Sequence, residues 1–162
     1  MKKALLFLLL AMPVYLSVSL YFTDKNYFLC PIEYNGNAVI RCDSMGEGFF
    51  AARRNGSRVH EGVDLFAEIG TPVFAARSGR VIAAGISRGM GNFIIIRHPG
   101  NIITLYGHLQ RIYVHKNSFV RQGEIIAAVG KTGNANYRAI QPHLHFEVRE
   151  NGIPRDPLEY LE

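Results

Sequence analysis

The stretch His143-Leu144-His145-Phe146-Glu147-Val148-Arg149 decides the fold, because polar and apolar residues alternate through it with period two. Successive side chains of a β-strand point to opposite faces. Leu144, Phe146 and Val148 therefore share one face, which seeks a core, while His143, His145, Glu147 and Arg149 share the other. Two imidazoles side by side on one strand face are the first chemical feature of the chain.

Upstream of this strand the same grammar repeats. Short runs rich in Val, Ile and Phe occupy Pro72 to Ala76, Gly79 to Ala84, Asn92 to His98, Ile102 to His108 and Gly123 to Val129. Turn signals separate them: Ser78-Gly79, Gly89 to Gly91, Pro99-Gly100-Asn101, Gly130 to Asn134 and Asn151-Gly152. No stretch of twelve or more residues sustains a helical stripe, so a mainly β domain, an antiparallel sheet or sandwich, is expected. With 162 residues, 48% of them apolar, one core is within reach without staples.

The N-terminus is of another kind. Lys2 and Lys3 precede an uncharged, apolar stretch from Ala4 to Phe22, which reads as an export segment. Pro13 and the small residues Ser17 and Ser19 fit a signal peptide, while the length and Tyr15, Tyr21 and Phe22 fit a membrane anchor over residues 4–22. Either reading places the remainder outside the cytoplasm. Residues 23–45 lack periodicity and read as an arm, with the domain proper occupying residues 46–162. Cys30 and Cys42 fall in that arm, and in an oxidising compartment they are expected to form a disulfide that orders it.

The formal charge of +5 falls to +3 once Lys2 and Lys3 are removed. Arg53, Arg54 and Arg58 cluster before His60, either as a contact for an anionic polymer or as a solvated basic edge. With no Trp and no continuous basic stripe, nucleic-acid binding is not expected.

Of six histidines, three contexts stand out. His60-Glu61-Gly62-Val63-Asp64 brings an imidazole and a carboxylate four residues apart, at a strand entry or loop bent by Gly62. Tyr106-Gly107-His108-Leu109 ends a strand, and His143-Leu144-His145 lies on the last. Neutral nitrogen donors with one carboxylate suit zinc, and a hydrolytic zinc site needs three protein ligands and an open position. His98 and His115 lie outside these contexts and are expected at the surface.

From Gly48 to Leu161 the chain resembles the lysostaphin and LytM family of zinc metalloendopeptidases. Four elements carry the resemblance in order: Arg54 through His60-Glu61-Gly62-Val63-Asp64-Leu65; Gly70-Thr71-Pro72-Val73-Phe74-Ala75-Ala76 with Gly79; Tyr106-Gly107-His108-Leu109; and Gly133 with Pro142 through Val148. The closing Asn151-Gly152 and Asp156-Pro157-Leu158 fit as well. The resemblance implies a lysostaphin-like, barrel-sandwich-hybrid fold and Zn2+ held by His60, Asp64 and His145. It also implies His108 and His143 as catalytic histidines, with the peptide part of bacterial peptidoglycan as substrate. A non-catalytic adaptor of the same fold would be expected to lack some of these five residues, and none is missing. Glu61 is read as structural or supporting, because a helical His-Glu zinc motif needs a second histidine where Asp64 stands. Members that cleave glycine bridges carry a tyrosine shortly before the first ligand, and none occurs between Asn35 and Val59. Direct stem-peptide cross-links are therefore the expected target. The loops Gly130 to Pro142 and Gly85 to Asn92 are expected to border the cleft.

Overall fold

The structure, a computed structural model, describes residues 24, 27–33, 38–54 and 57–161. The expected export segment of residues 1–22 lies outside the described residues. Eleven strands occur in chain order: β1 (Cys42–Asp43), β2 (Gly46–Glu47), β3 (Val63–Phe66), β4 (Pro72–Phe74), β5 (Gly79–Ser87), β6 (Gly91–His98), β7 (Ile102–Ile112), β8 (Phe119–Val120), β9 (Ile125–Val129), β10 (His143–Glu150) and β11 (Ile153–Arg155). Among the described residues there is no α-helix, only two short 3-10 turns. The strands after β2 form one antiparallel sheet around the path β11-β10-β7-β6-β5-β8, with β3, β4 and β9 attached to it. A mainly β, antiparallel architecture is thus what the alternating runs dictate.

The long β7 organises the sheet. Its first half, Ile102 to Gly107, pairs with β10, while Leu109 to Ile112 pairs with β9 across an irregular register. A strand that changes partners at a bulge folds the sheet over its own core. On β10 the predicted alternation holds: Leu144, Phe146 and Val148 are fully buried among Val63, Leu65, Tyr106 and Ile126.

The arm is part of the domain. Phe28 and Ile32 are buried in the core, Ile40 bridges Leu65, and Phe28 bridges Leu161. Apolar burial and backbone pairing order these residues, and the bridge expected between Cys30 and Cys42 is not formed: both are free thiols. Different partners hold the two cysteines. Cys30 packs half-buried against the core, where burial pushes its thiol up, whereas Cys42 is exposed on β1 opposite Glu47.

His98, expected at the surface, is buried. Its Nδ1 donates to the Ser78 carbonyl at 2.9 Å and its Nε2 accepts from the Thr104 hydroxyl at 2.7 Å, so a neutral ring is satisfied on both sides. His115 is exposed, as expected.

Candidate metal centre

Three strands bring the site together. On β10, His145 stands opposite Asp64 of β3 on one side and Gly107 of β7 on the other. Directly paired residues share a face, so His145, Asp64 and Gly107 all look away from the core that Phe146, Val63 and Tyr106 fill. Gly107 leaves room for the imidazole: a Cβ there would meet Met90 Sδ at 3.1 Å and His145 Cβ at 3.4 Å.

His60, Asp64 and His145 converge, all three buried. His60 Nε2 lies 3.0 Å from Asp64 Oδ1 and 3.0 Å from His145 Nδ1, and His145 Nδ1 lies 2.9 Å from Asp64 Oδ1. The other ring nitrogens fix the tautomers. His60 Nδ1 faces the Phe49 carbonyl at 2.8 Å, and His145 Nε2 faces Glu147 Oε1 at 3.0 Å. Both partners only accept, so both nitrogens donate, and with a metal bound the converging nitrogens are free to ligate it. Two ring nitrogens and a carboxylate oxygen thus point at one position, an arrangement suited to a cation. Their spacing approaches the roughly 3.3–3.6 Å edge of a tetrahedron whose centre lies about 2.0–2.2 Å from each ligand. Two imidazoles and one carboxylate are a zinc donor set, and these residues fit the ion.

The surroundings hold each ligand. Glu147, 2% exposed, links His145 to Arg149, whose Nε donates to Glu147 Oε2 at 2.8 Å. Arg149 also pairs with Glu61, which gives that residue a supporting place. Asp64 Oδ2 accepts from Arg41 at 3.1 Å and from Arg54 at 3.0 Å, leaving Oδ1 for the metal. Burial works against the Asp64 charge, but the hydrogen bonds with His145 and His60 hold its carboxyl far below the usual range. His145 is likewise opposed by burial, yet Asp64 and Glu147 push it up to about 9, so without metal a proton takes the cation's place.

Two further histidines flank this triad. The His108 ring lies 4.9 Å from that of His143 and 5.8 Å from that of His145, and His143 Nε2 stands 3.8 Å from Asp64 Oδ1. His108 Nδ1 donates to the Thr132 carbonyl at 2.9 Å, and His143 Nδ1 to that of Gln141 at 2.7 Å. Burial, reinforced by His143 and His145, drives His108 down to about 3; burial also lowers His143. Both rings are neutral with a bare Nε2.

Strict alternation would send His108 into the core. Tyr106 and Leu109 are both core residues three apart, so one extra residue is accommodated between them, and His108 takes a left-handed φ of 61°. That turn returns its ring to the face of Gly107. Two loops hold it there, the Met90 carbonyl accepting from His108 N at 2.8 Å and Thr132 accepting from the ring. Gly91 and Gly133, both at positive φ, let these loops touch; a Cβ on Gly133 would fall 2.2 Å from Gly91 N. The expected bordering loops therefore meet the site.

Sequence reasoning missed Arg41, Asp43 and the role of Glu147. Alternation from His145 already put Glu147 on the ligand face, but Arg41 lies 23 residues from Asp64 in a stretch without periodicity. Arg54, read as part of a basic cluster, turns inward to Asp64, whereas Arg53 and Arg58 stay exposed.

A buried two-histidine, one-aspartate centre on an antiparallel sheet, flanked by two neutral histidines, has the form of a mononuclear zinc hydrolase site. Residues 58–157 match the model of Peptidase family M23, and the chain belongs to that family. It is 41% identical over 115 residues to a lipoprotein NlpD/LppB homolog of Pseudomonas aeruginosa, covering 70% of this chain and 36% of that protein. To the peptidoglycan DD-endopeptidase ShyC of Vibrio cholerae it is 41% identical over 100 residues, 62% of this chain and 22% of that one. Among solved structures, a zinc-containing peptidase from Vibrio cholerae superimposes with a TM-score of 0.65 at 33% identity, over 81% of this chain and 39% of the other. The catalytic domain of lysostaphin from Staphylococcus simulans gives 0.61 at 34% identity, over 71% and 89%. The fold is lysostaphin-like. The chain spans between about a fifth and two fifths of the length of the curated relatives it matches.

Proposed function

We propose that this chain is an exported zinc endopeptidase that hydrolyses peptide bonds in the stems or cross-links of peptidoglycan. One observation carries the reading: a ring nitrogen of His60, one of His145 and a carboxylate oxygen of Asp64 converge to within about 3 Å of one another, beside two further histidines whose Nδ1 atoms are held by backbone carbonyls. His60, Asp64 and His145 are the metal ligands. Bound there, zinc supplies Lewis-acid polarisation and lowers the pKa of water toward 7.

The chain's own residues do the rest. His108 and His143 are the catalytic histidines, each offering Nε2 as a base to an attacking water. The ring that takes the proton becomes the donor available to the leaving amine, and the second faces the oxyanion. Hydrogen bonds from Nδ1 to Thr132 and Gln141 keep both rings in the tautomer that can accept a proton. Arg41 and Arg54 neutralise Asp64 and hold it by Oδ2.

Residues 1–22 direct the chain to the cell envelope, either leaving as a signal peptide or remaining as an anchor through residues 4–22. The absence of tyrosine between Asn35 and Val59 favours direct stem-peptide cross-links over glycine bridges. Digestion of purified sacculi with zinc-loaded protein, with mass spectrometry of the released fragments, tests this. Muropeptides cut within the peptide moiety are expected, and their release should stop on chelation. Intact sacculi after incubation with protein carrying one zinc per chain would refute the activity.

A further inference from the structure

At the opposite end of the sheet from the metal centre lies a cavity of about 750 Å³, lined by Arg77, Arg80, Ile82, Arg97 and Phe119 together with Asp24. The register shows how it is built. Phe119 of β8 pairs with Arg80 of β5, Arg80 with Arg97 of β6, and Arg97 with Ile103 of β7, so one row crosses four strands. Ile103 is four residues along β7 from Gly107, roughly 13 Å from the row that holds His145.

Arg80 and Arg97 are both exposed and stand directly opposite each other. Like charges in that position repel. Arg80 Nη1 donates to the Asn117 carbonyl at 3.1 Å, and an anion lying over the pair would offset the repulsion. Among the described residues Asp24 is the one carboxylate lining the cavity. Ser78 N donates to it at 2.8 Å, the Ser78 hydroxyl bonds it too, and Arg77 stands 3.8 Å away. Asp24 is therefore engaged on the Ser78 and Arg77 side. Beside the arginines, Phe119 is 64% exposed, an aromatic ring presented to solvent at the rim of a basic surface.

The chain's path supplies the direction. Asp24, which lines the cavity, follows the apolar stretch of residues 4–22 by two residues. The domain is thus entered at this cavity. If residues 4–22 lie in a bilayer, this end of the sheet faces the lipid headgroups and the metal centre faces away.

We propose that Arg80 and Arg97, with Phe119 and Ile82, form a docking surface for an anionic phospholipid membrane, which stands the domain on the bilayer with its metal centre turned outward toward the wall. The guanidinium groups neutralise headgroup phosphates, and Phe119 enters the interface between headgroups and acyl chains. Docking rests on the anchor reading of residues 4–22 and not on the hydrolytic one, so the two fail separately.

The natural chain has no Trp, so Phe119→Trp gives a single fluorescent reporter at the surface. The full chain carrying it is reconstituted into vesicles of phosphatidylcholine alone or with about 30% phosphatidylglycerol, with acyl-brominated lipid as quencher. Two arginines at an anionic surface favour the docked state by roughly thirtyfold. Quenching is expected in the anionic vesicles, with only a trace in neutral ones. It should disappear in R80E/R97E and in high salt, while zinc content and cleavage of a soluble peptide stay unchanged in the variant. Equal quenching in both vesicle types, no quenching in either, or quenching that survives R80E/R97E would each overturn the proposal. Loss of sacculus binding in R80E/R97E with vesicle docking intact would also overturn it, reassigning the face to an anionic glycan.

Discussion

Replacing Glu147 by Gln isolates the contribution of one buried charge to the metal centre. Glu147 is 2% exposed and holds His145 Nε2 at 3.0 Å and Arg149 Nε at 2.8 Å. Burial raises its pKa, but His145 and Arg149 outweigh that and keep it ionised. Gln is nearly isosteric and offers one carbonyl and one amino group to two donors. Turning the carbonyl to His145 preserves the tautomer that bares Nδ1 and leaves Arg149 facing an N–H, from which Arg149 can move toward the exposed Glu61. That orientation keeps the hydrogen bond and removes the charge. Loss of such a supporting carboxylate weakens metal affinity by roughly 10–100-fold, about 1.4–2.7 kcal/mol. Competition against a chromogenic chelator reads the affinity, and sacculus release at saturating zinc reads the turnover, which should return to within a few-fold of the parent. Unchanged zinc affinity in E147Q, or lost turnover with one zinc per chain, would refute the argument.

Other variants separate ligands from catalytic groups. His145→Ala should lose zinc and activity together, whereas His108→Ala and His143→Ala should keep near one zinc per chain and lose roughly 100-fold or more in turnover. Zinc analysis beside sacculus release decides this, and loss of zinc in His108→Ala with retention in His145→Ala would invert the roles. Asp43→Ala removes the carboxylate that pairs with Arg41 at 2.7 Å and accepts from Gln141 N at 2.9 Å. Because the Gln141 carbonyl orients His143, turnover should fall roughly 10- to 100-fold with zinc content unchanged, and the loss should vanish in a His143→Ala background. For pH, the raised His145 stabilises the metal-free fold below about 6.5 and ceases to do so as pH rises through about 9. The lowered His108 acts oppositely, stabilising above 6.5 and losing this as pH falls toward about 3. Melting curves of the chelated chain should therefore peak near neutral pH, and added zinc should lift the alkaline limb most; an alkaline limb indifferent to zinc would contradict the cation site.

Period-two reading found most of what lies on regular strands. It placed Leu144, Phe146 and Val148 in the core and His143 and His145 together on the other face, as β10 has them. His98 was legible by the same rule, since it follows Ile94 and Ile96 on the core face of β6, but its polar character argued for the surface. The arm was not legible. Its order comes from Phe28 and Ile32 filling the core and from backbone bonds such as Arg41 N to Asp64 O at 2.8 Å, pairings between distant segments that leave no local period. Arg41 and Asp43 carry no signal in their neighbours, because what gives them meaning is Asp64 and Gln141, far along the chain.

His108 shows why the site needs more than the correct residues at the correct intervals. A left-handed conformation at a residue with a Cβ costs on the order of 1–3 kcal/mol, and alternation alone would bury the ring beside Tyr106. The conformation persists because independent contacts demand it: the backbone bond to Met90, the ring bond to Thr132, and the core positions of Tyr106 and Leu109 that leave two residues to share one outward step. Met90 and Thr132 belong to different loops, and these meet only because Gly91 and Gly133 have no side chains. A side chain at either glycine should therefore misplace His108 before it disturbs His60, Asp64 or His145, whose positions are set by the Phe49–Ala52 segment, β3 and β10. The placement of the His60, Asp64 and His145 cluster and that of the flanking His108 are thus built by separate parts of the fold, and can be lost separately.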